Sequence, residues 1–139
     1  IKTKERPETV SLVIGLRGIS PIVYSSLEKG KIIKIMGVNS TKDVKFNNFW
    51  MHWHKYRVSL KKKVKIIFSD KNTSYWRFFK HLKYTKVKEI LHFTPSAILI
   101  IDDEAFIFSY EDKLTCIHIL TKSIASSFSQ FFDDLWKFA

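Results

Sequence analysis

The stretch SAILIIDDEAFIFS, Ser96 to Ser109, places a mostly apolar run, three consecutive acids and a second apolar run in line. Two short runs rich in aliphatic and aromatic residues, split by a compact polar knot, predict a β-hairpin whose strands lie in a core. The knot Asp102-Asp103-Glu104 raises the functional question, because acids between two strands are either a turn or part of an active site.

Working outward, the segments TVSLVIGL (Thr9–Leu16), KIIKIMGV (Lys31–Val38), VKIIFSD (Val64–Asp70), VKEILHF (Val87–Phe93) and LTCIHIL (Leu114–Leu120) share that strand-like content. Helical segments separate the first four. Pro21 is expected to open a helix carrying Ile22, Tyr24, Ser25 and Leu27 and stopping near Gly30. In KFNNFWMHWHKYRVSLKKK, Phe46, Phe49, Trp50, Trp53 and Arg57 recur at steps of three and four, on one face of a helix. Asn72 or Thr73 caps a short helix with Trp76 and Phe79. The closing TKSIASSFSQFFDDLWKFA, with Thr121 as N-cap, is amphipathic; Ile124, Phe128, Phe131, Phe132, Leu135, Trp136 and Ala139 form its apolar stripe. Strands alternating with helices, then strands in succession, describe an α/β fold with a mixed sheet flanked by helices. The expected organisation is a linker or an exit from an upstream element over 1–8, then a single α/β domain over 9–139. A chain that opens on Ile1 is expected to be a processed or partial one.

Composition narrows the class. The chain is 45% hydrophobic and 27% charged over 139 residues, which is globular. No apolar run nears the ~18 residues of a membrane span, and no secretory h-region follows the basic opening IKTKERPET. A cytoplasmic protein without a membrane partner is expected. Lys and Arg number 24 against 13 Asp and Glu, a net +11 that favours an anionic partner without specifying a fold. Cys116 is the single cysteine, so it has no internal disulfide partner and reads as a buried structural thiol.

Candidate binding residues concentrate on the aromatic helix. Trp50 and Trp53 are either core or rings on which a sugar or base stacks. Tyr56 and Lys55 would rim such a site, with Arg57 offering a two-pronged anion contact. Lys61, Lys62, Lys63 and Lys65, with Lys42 and Lys45, form the densest positive patch. That patch is a solvated face, a contact to DNA backbone, or a salt-bridging surface toward a partner. The turn GVNSTKD, with Ser40 and Thr41, could form a backbone nest for an anion. His52 and His54 are two apart and diverge on a helix, with no ligand four residues on, so no metal site and no cofactor is expected. His118 shares a strand face with Cys116 and reads as a core or interface histidine.

Taken together, RGISPIVYSSLEKGKIIKIMG, YRVSLKKKVKIIFSD, TPSAILIIDDEAFIFS and the closing FSQFFDDLWKFA resemble the effector region of the TrmB family of archaeal and bacterial transcription regulators, over roughly Glu8 to Ala139. The resemblance implies a degenerate phospholipase-D-like fold, a small-molecule effector, participation in a homodimer, and DNA recognition by a winged helix ahead of Ile1. Active phospholipase-D folds carry His-x-Lys-x-x-x-x-Asp on a hairpin. Taking Asp103 as the acid puts Ser96 and Ile98 at the other two positions; taking Asp102 gives Pro95 and Ala97. Neither frame supplies the nucleophile, so the acidic knot is expected to be a solvated turn and the chain not an enzyme. A nucleophile assembled from Ser25, Ser26, Ser96 or Cys116 with a distant histidine has no motif behind it. The expectation is a non-catalytic regulatory domain of a TrmB-like regulator; the alternative is a stand-alone basic nucleic-acid-binding or scaffold domain.

Overall fold

A computed structural model describes residues 9–40, 43–91, 96–110 and 113–139. The 1–8 segment, Thr41, Lys42, His92, Phe93 and Pro95 of the readings above lie outside the described residues. The chain runs β1 (Val10–Ile14), α1 (Leu16–Lys29), β2 (Ile33–Val38), α2 (Val44–Ser59), β3 (Val64–Phe68), α3 (Ser74–Lys80), β4 (Thr85–Glu89), β5 (Ala97–Ile101), β6 (Glu104–Tyr110), β7 (Leu114–Ile119) and α4 (Lys122–Phe138).

One seven-stranded sheet of order β1-β7-β6-β5-β2-β3-β4 organises all of them. β2, β3 and β4 are parallel and joined through α2 and α3, while β5, β6, β7 and β1 pair antiparallel. The α/β class, the mixed sheet and the amphipathic C-terminal helix are as expected. Each face carries its own core. Ile19, Val23 and Leu27 of α1, Trp50 and Trp53 of α2, and Trp76 and Phe79 of α3 pack on Ile35, Ile66, Leu99 and Phe106. On the reverse, Phe132 of α4 packs on Met36, Ile67 and Ile100. The strands that are central in the sheet bury alternate residues on both faces, hence their near-continuous apolar runs.

Two helices depart from the sequence reading. α1 starts at Leu16, five residues before Pro21. Gly15 (φ 82) makes the turn, and its amide donates to the Leu114 carbonyl at 2.8 Å. Pro21 then sits on the exposed side, where water can satisfy the carbonyl its missing N–H leaves free. The α4 stripe is only half covered. Ala125 and Phe132 are buried, but Ile124 and Phe131 are 40% and 50% exposed, and on the same sheet face the edge strand β1 leaves Val10, Leu12 and Ile14 exposed.

The hairpin turn explains its own acids. Asp102 adopts positive φ (50°), and its carboxylate accepts from the Lys31 amide (3.1 Å) and the Ile32 amide (2.9 Å). Glu104 accepts from Ser26 Oγ (3.3 Å) and pairs with His118 Nε2 (2.7 Å), whose ring stacks on Phe106. Asp103 lies 4.0 Å from Lys122 of α4. The knot is therefore a clasp joining hairpin, α1, β2, β7 and α4, not merely a solvated turn. A β-carbon on Gly30 would collide with Ile101 Cγ2 beside this clasp, which is why the chain turns on glycine there. Asp102→Ala removes the acceptor for two amides and is expected to cost about 1–2 kcal/mol in urea unfolding with unchanged m-value, Asp102→Asn less.

Candidate functional site

Two concave features lie at opposite ends of the parallel strands. At the carboxyl ends of β2 and β6 is a cavity of about 900 Å³. Gly37 (φ 75) interrupts the β2–β3 register and turns Asn39 and Ser40 over its mouth. The Ser40 amide donates to Asp70 Oδ2 (3.1 Å), and its hydroxyl to Thr73 Oγ1 (3.1 Å), the N-cap of α3. Asp43 caps α2 by accepting from the Phe46 amide (3.2 Å). Its carboxylate also takes the Tyr110 phenol, a hydrogen bond that is the main cause of its lowered pKa. Burial and this bond push the Tyr110 phenol well above the ordinary tyrosine range. Phe46 and Tyr110 rings meet at 4.2 Å, Trp50 and Phe108 at 5.1 Å.

His54 stands in the cavity wall, and a hydrogen bond decides its tautomer. Arg57 Nε donates to its Nδ1 at 3.0 Å; a guanidinium has no lone pair to offer, so the imidazole proton belongs on Nε2. Burial first, and the Arg57 charge second, hold this histidine well below its usual pKa.

Of the α2 residues expected to bind a ligand, only Trp50 lines the cavity; Ser40 of the GVNSTKD turn lines it as well. Trp53 is fully buried and donates from Nε1 to the Val23 carbonyl (3.0 Å). Tyr56 turns to the α1 side and donates to Glu28 Oε2 (2.7 Å). Arg57 is buried rather than at a rim. Its Nη1 donates to the Lys62 and Tyr84 carbonyls (2.6 and 2.9 Å) and its Nη2 to Thr85 Oγ1 (2.6 Å). Burial lowers it to about 10, so it remains a cation at neutral pH.

The lysines divide likewise. Lys62 Nζ donates to the carbonyls of Leu27, Glu28 and Gly30 and so closes the carboxyl end of α1. Lys55 is exposed and reaches over the Phe78 ring, and Lys61 is an exposed residue of positive φ. Lys63 and Lys65, by contrast, line the second feature, a groove of about 480 Å³ at the amino ends of β2, β3 and β4, with Lys31, Lys34, Tyr84 and Lys86. Sequence reasoning missed the last four. Lys34, Lys65 and Lys86 are register partners across three adjacent strands, so residues 31 and 21 apart in sequence become lateral neighbours about 5 Å apart. The recurring second-position lysine in IKIM, VKII and TKVK was the available signal. Asp133 (2.8 Å) offsets Lys34, and the Trp136 ring lies under Lys65 and Lys88.

Ser96 lies at the cavity, while Ile98 packs on the α4 side with the Met36 cluster and Asp103 is at the far end of the hairpin. Burial pushes the Cys116 thiol up to about 12. Among the described residues no group of three or more His, Cys, Asp or Glu is placed to hold a metal, and no helix is long and apolar enough to cross a membrane.

No protein-family model matches this sequence, and no curated protein matches it. A solved structure does: TrmBL2, described as an archaeal chromatin protein showing a novel mode of DNA binding, superposes with a TM-score of 0.59. The likeness is one of fold. Identity is 18%, the match covers 96% of this chain, and it spans about half (54%) of the TrmBL2 chain.

His54 supplies a pH test. Unfolded histidine titrates near 6.5, whereas the buried ring stays neutral to lower pH, so unfolding in acid takes up a proton. Stability is therefore lost as pH falls from about 7 through 6.5 and below, until the folded-state value is reached. Melting followed by circular dichroism between pH 7.5 and 5 is expected to show a shallower fall in Tm for His54→Gln than for the wild type.

Proposed function

We propose that this chain is a non-catalytic regulatory domain of a TrmB-like transcription regulator, with the cavity as its effector site. The observation carrying this is the cavity's construction. α2 supplies Asp43, Phe46, Trp50 and His54 to its wall, the hairpin supplies Tyr110, and α3 supplies Tyr75. A ligand bridging them would select one arrangement of α2 against the hairpin, which is the differential contact an effector needs. From its first residue α2 runs about 20 Å to Arg57, whose guanidinium grips the starts of β3 and β4 beside the lysine groove. DNA recognition would reside in an upstream winged helix. A second copy of the chain is part of this reading, covering the exposed flank of Leu12, Ile14, Ile124 and Phe131.

The second reading is direct contact with nucleic acid, favoured by the aligned Lys34, Lys65 and Lys86. It makes the groove a phosphate track that adds affinity without reading sequence.

Ala97 lines the cavity and, in register with Phe108, faces it from β5, so Ala97→Trp fills the space. In a thermal-shift screen with chemically varied small molecules, at least one saturable stabilising ligand is expected for the wild type and none for Ala97→Trp. A wild type that no compound shifts would overturn the effector reading. For the groove, fluorescence anisotropy with duplex DNA is expected to give a log–log salt slope shallower by about 2–3 in the Lys63→Gln/Lys65→Gln/Lys86→Gln variant. Equal slopes would remove the groove from any DNA contact.

A further inference from the structure

We infer that the outer edge of β1 is a self-association surface, on which β1 of a second copy of this chain adds antiparallel so that one sheet runs through both copies. This rests on the second-copy part of the proposed function and gives that contact a strand, a register and a symmetry.

The backbone supplies the first argument. β1 pairs with β7 without a register shift, Val10 opposite Ile119 and Ile14 opposite Thr115. At the two ends of β1 the Leu120 amide donates to the Thr9 carbonyl and the Gly15 amide to the Leu114 carbonyl, each at 2.8 Å. Residues that exchange bonds with an antiparallel neighbour alternate with residues that do not. Thr9, Ser11, Val13 and Gly15 are therefore the ones turned to β7, and the amides and carbonyls of Val10, Leu12 and Ile14 point away from it. β1 ends the strand order, so among the described residues no strand meets this row.

Side chains supply the second. Val10, Leu12 and Ile14 are 58%, 65% and 51% exposed. An edge of this kind is a template for another strand unless charge, proline or a bulge blunts it. The opposite edge is blunted by charge: β4 reads TKVKE, with Lys86 and Lys88. Thr9 to Leu16, TVSLVIGL, holds no charged residue and no proline, in a chain of net charge +11. Two copies can therefore bring these strands together without setting like charges against each other.

The register supplies the third. A two-fold axis at Leu12 sets Leu12 of one copy against Leu12 of the other, and Val10 against Ile14 on either side of it. These pairs fall on the three residues whose backbone groups point outward, so each exchanges two bonds, about six in all. Val10 stands opposite Ile119, which packs with Ala125 of α4, so Val10, Leu12 and Ile14 share the α4 face and every cross-strand pair is apolar. Joining β1 to β4 of a second copy would instead oppose apolar side chains to lysines and leave both outer edges open to further copies. The two-fold contact closes on a dimer.

Sedimentation equilibrium of the 139-residue chain is expected to give a dimer at about 100 μM, with a dissociation constant raised about tenfold or more by Leu12→Lys, which sets two lysines face to face at the axis. Leu12 is exposed, so the dilute monomers of wild type and variant are expected to agree in urea unfolding. Val10→Lys combined with Ile14→Glu opposes unlike charges twice across the axis and is expected to keep the dimer, whereas Val10→Lys combined with Ile14→Lys is expected to lose it. Amide hydrogen exchange followed by NMR reads the strand pairing itself. The Val10, Leu12 and Ile14 amides are expected to slow as the dimer forms, while those of Ser11 and Val13, bonded to β7, are protected at every concentration. A dimer in which the Val10, Leu12 and Ile14 amides exchange freely would overturn the edge pairing and leave the second copy standing. Protection of those amides in the dilute monomer would show the edge already covered within the chain and would overturn the inference. A wild type monomeric throughout would overturn both it and the second-copy part of the proposed function, without bearing on the effector cavity, which the thermal-shift screen tests.

Discussion

A single buried guanidinium holds the two ends of this molecule in relation to each other. Arg57 leaves α2 one turn from its end and donates to His54, to the carbonyls that precede β3 and β4, and to the Thr85 hydroxyl. Among the described residues it has no carboxylate partner. Its desolvation is offset by neutral acceptors in a fixed fork, a role that the ammonium of a lysine cannot reproduce. Removing it would strand two carbonyls and a buried histidine nitrogen, so the parallel half of the sheet, the cavity wall and the lysine groove all depend on it. The residue type best suited to grip a ligand is here employed in gripping the chain.

The acidic knot follows the same logic on the antiparallel half. Asp102 anchors the start of β2, Glu104 ties α1 to β7 through Ser26 and His118, and Asp103 faces Lys122 at the start of α4. Charged groups that look like a site in sequence are here consumed by backbone amides and cross-element pairs. What remains open for binding is a cavity lined by Asn39, Ser40, Asp43 and Tyr110 among others, and a groove across which Lys34, Lys65 and Lys86 stand in register.

Much of the fold was legible because its signals are local. The alternation of apolar runs with three-and-four spacing places the strands and α2, and the stripe Phe128, Phe132, Leu135, Trp136 marks α4. The TrmB-like resemblance agrees with the fold match to TrmBL2. The start of α1 was not legible: Pro21 is as compatible with an exposed position inside a helix as with its first turn, and only the Gly15–Leu114 bond decides between them. The candidate site was legible only in Ser40 of the GVNSTKD turn and in Trp50. Trp53 and Arg57 share its helical face, but which of three neighbouring side chains meets a cavity rather than a packed partner depends on what α1, β4 and the hairpin place opposite.

The sequence by itself determined the α/β class and the basic balance, because each is a matter of residue identity or of spacing within one element. Only the tertiary structure decided that Lys34, Lys65 and Lys86 form one row, that Asp43 meets Tyr110, and that Arg57 is a brace. Those are relations between elements, set by strand register and crossover path, and no local period encodes them.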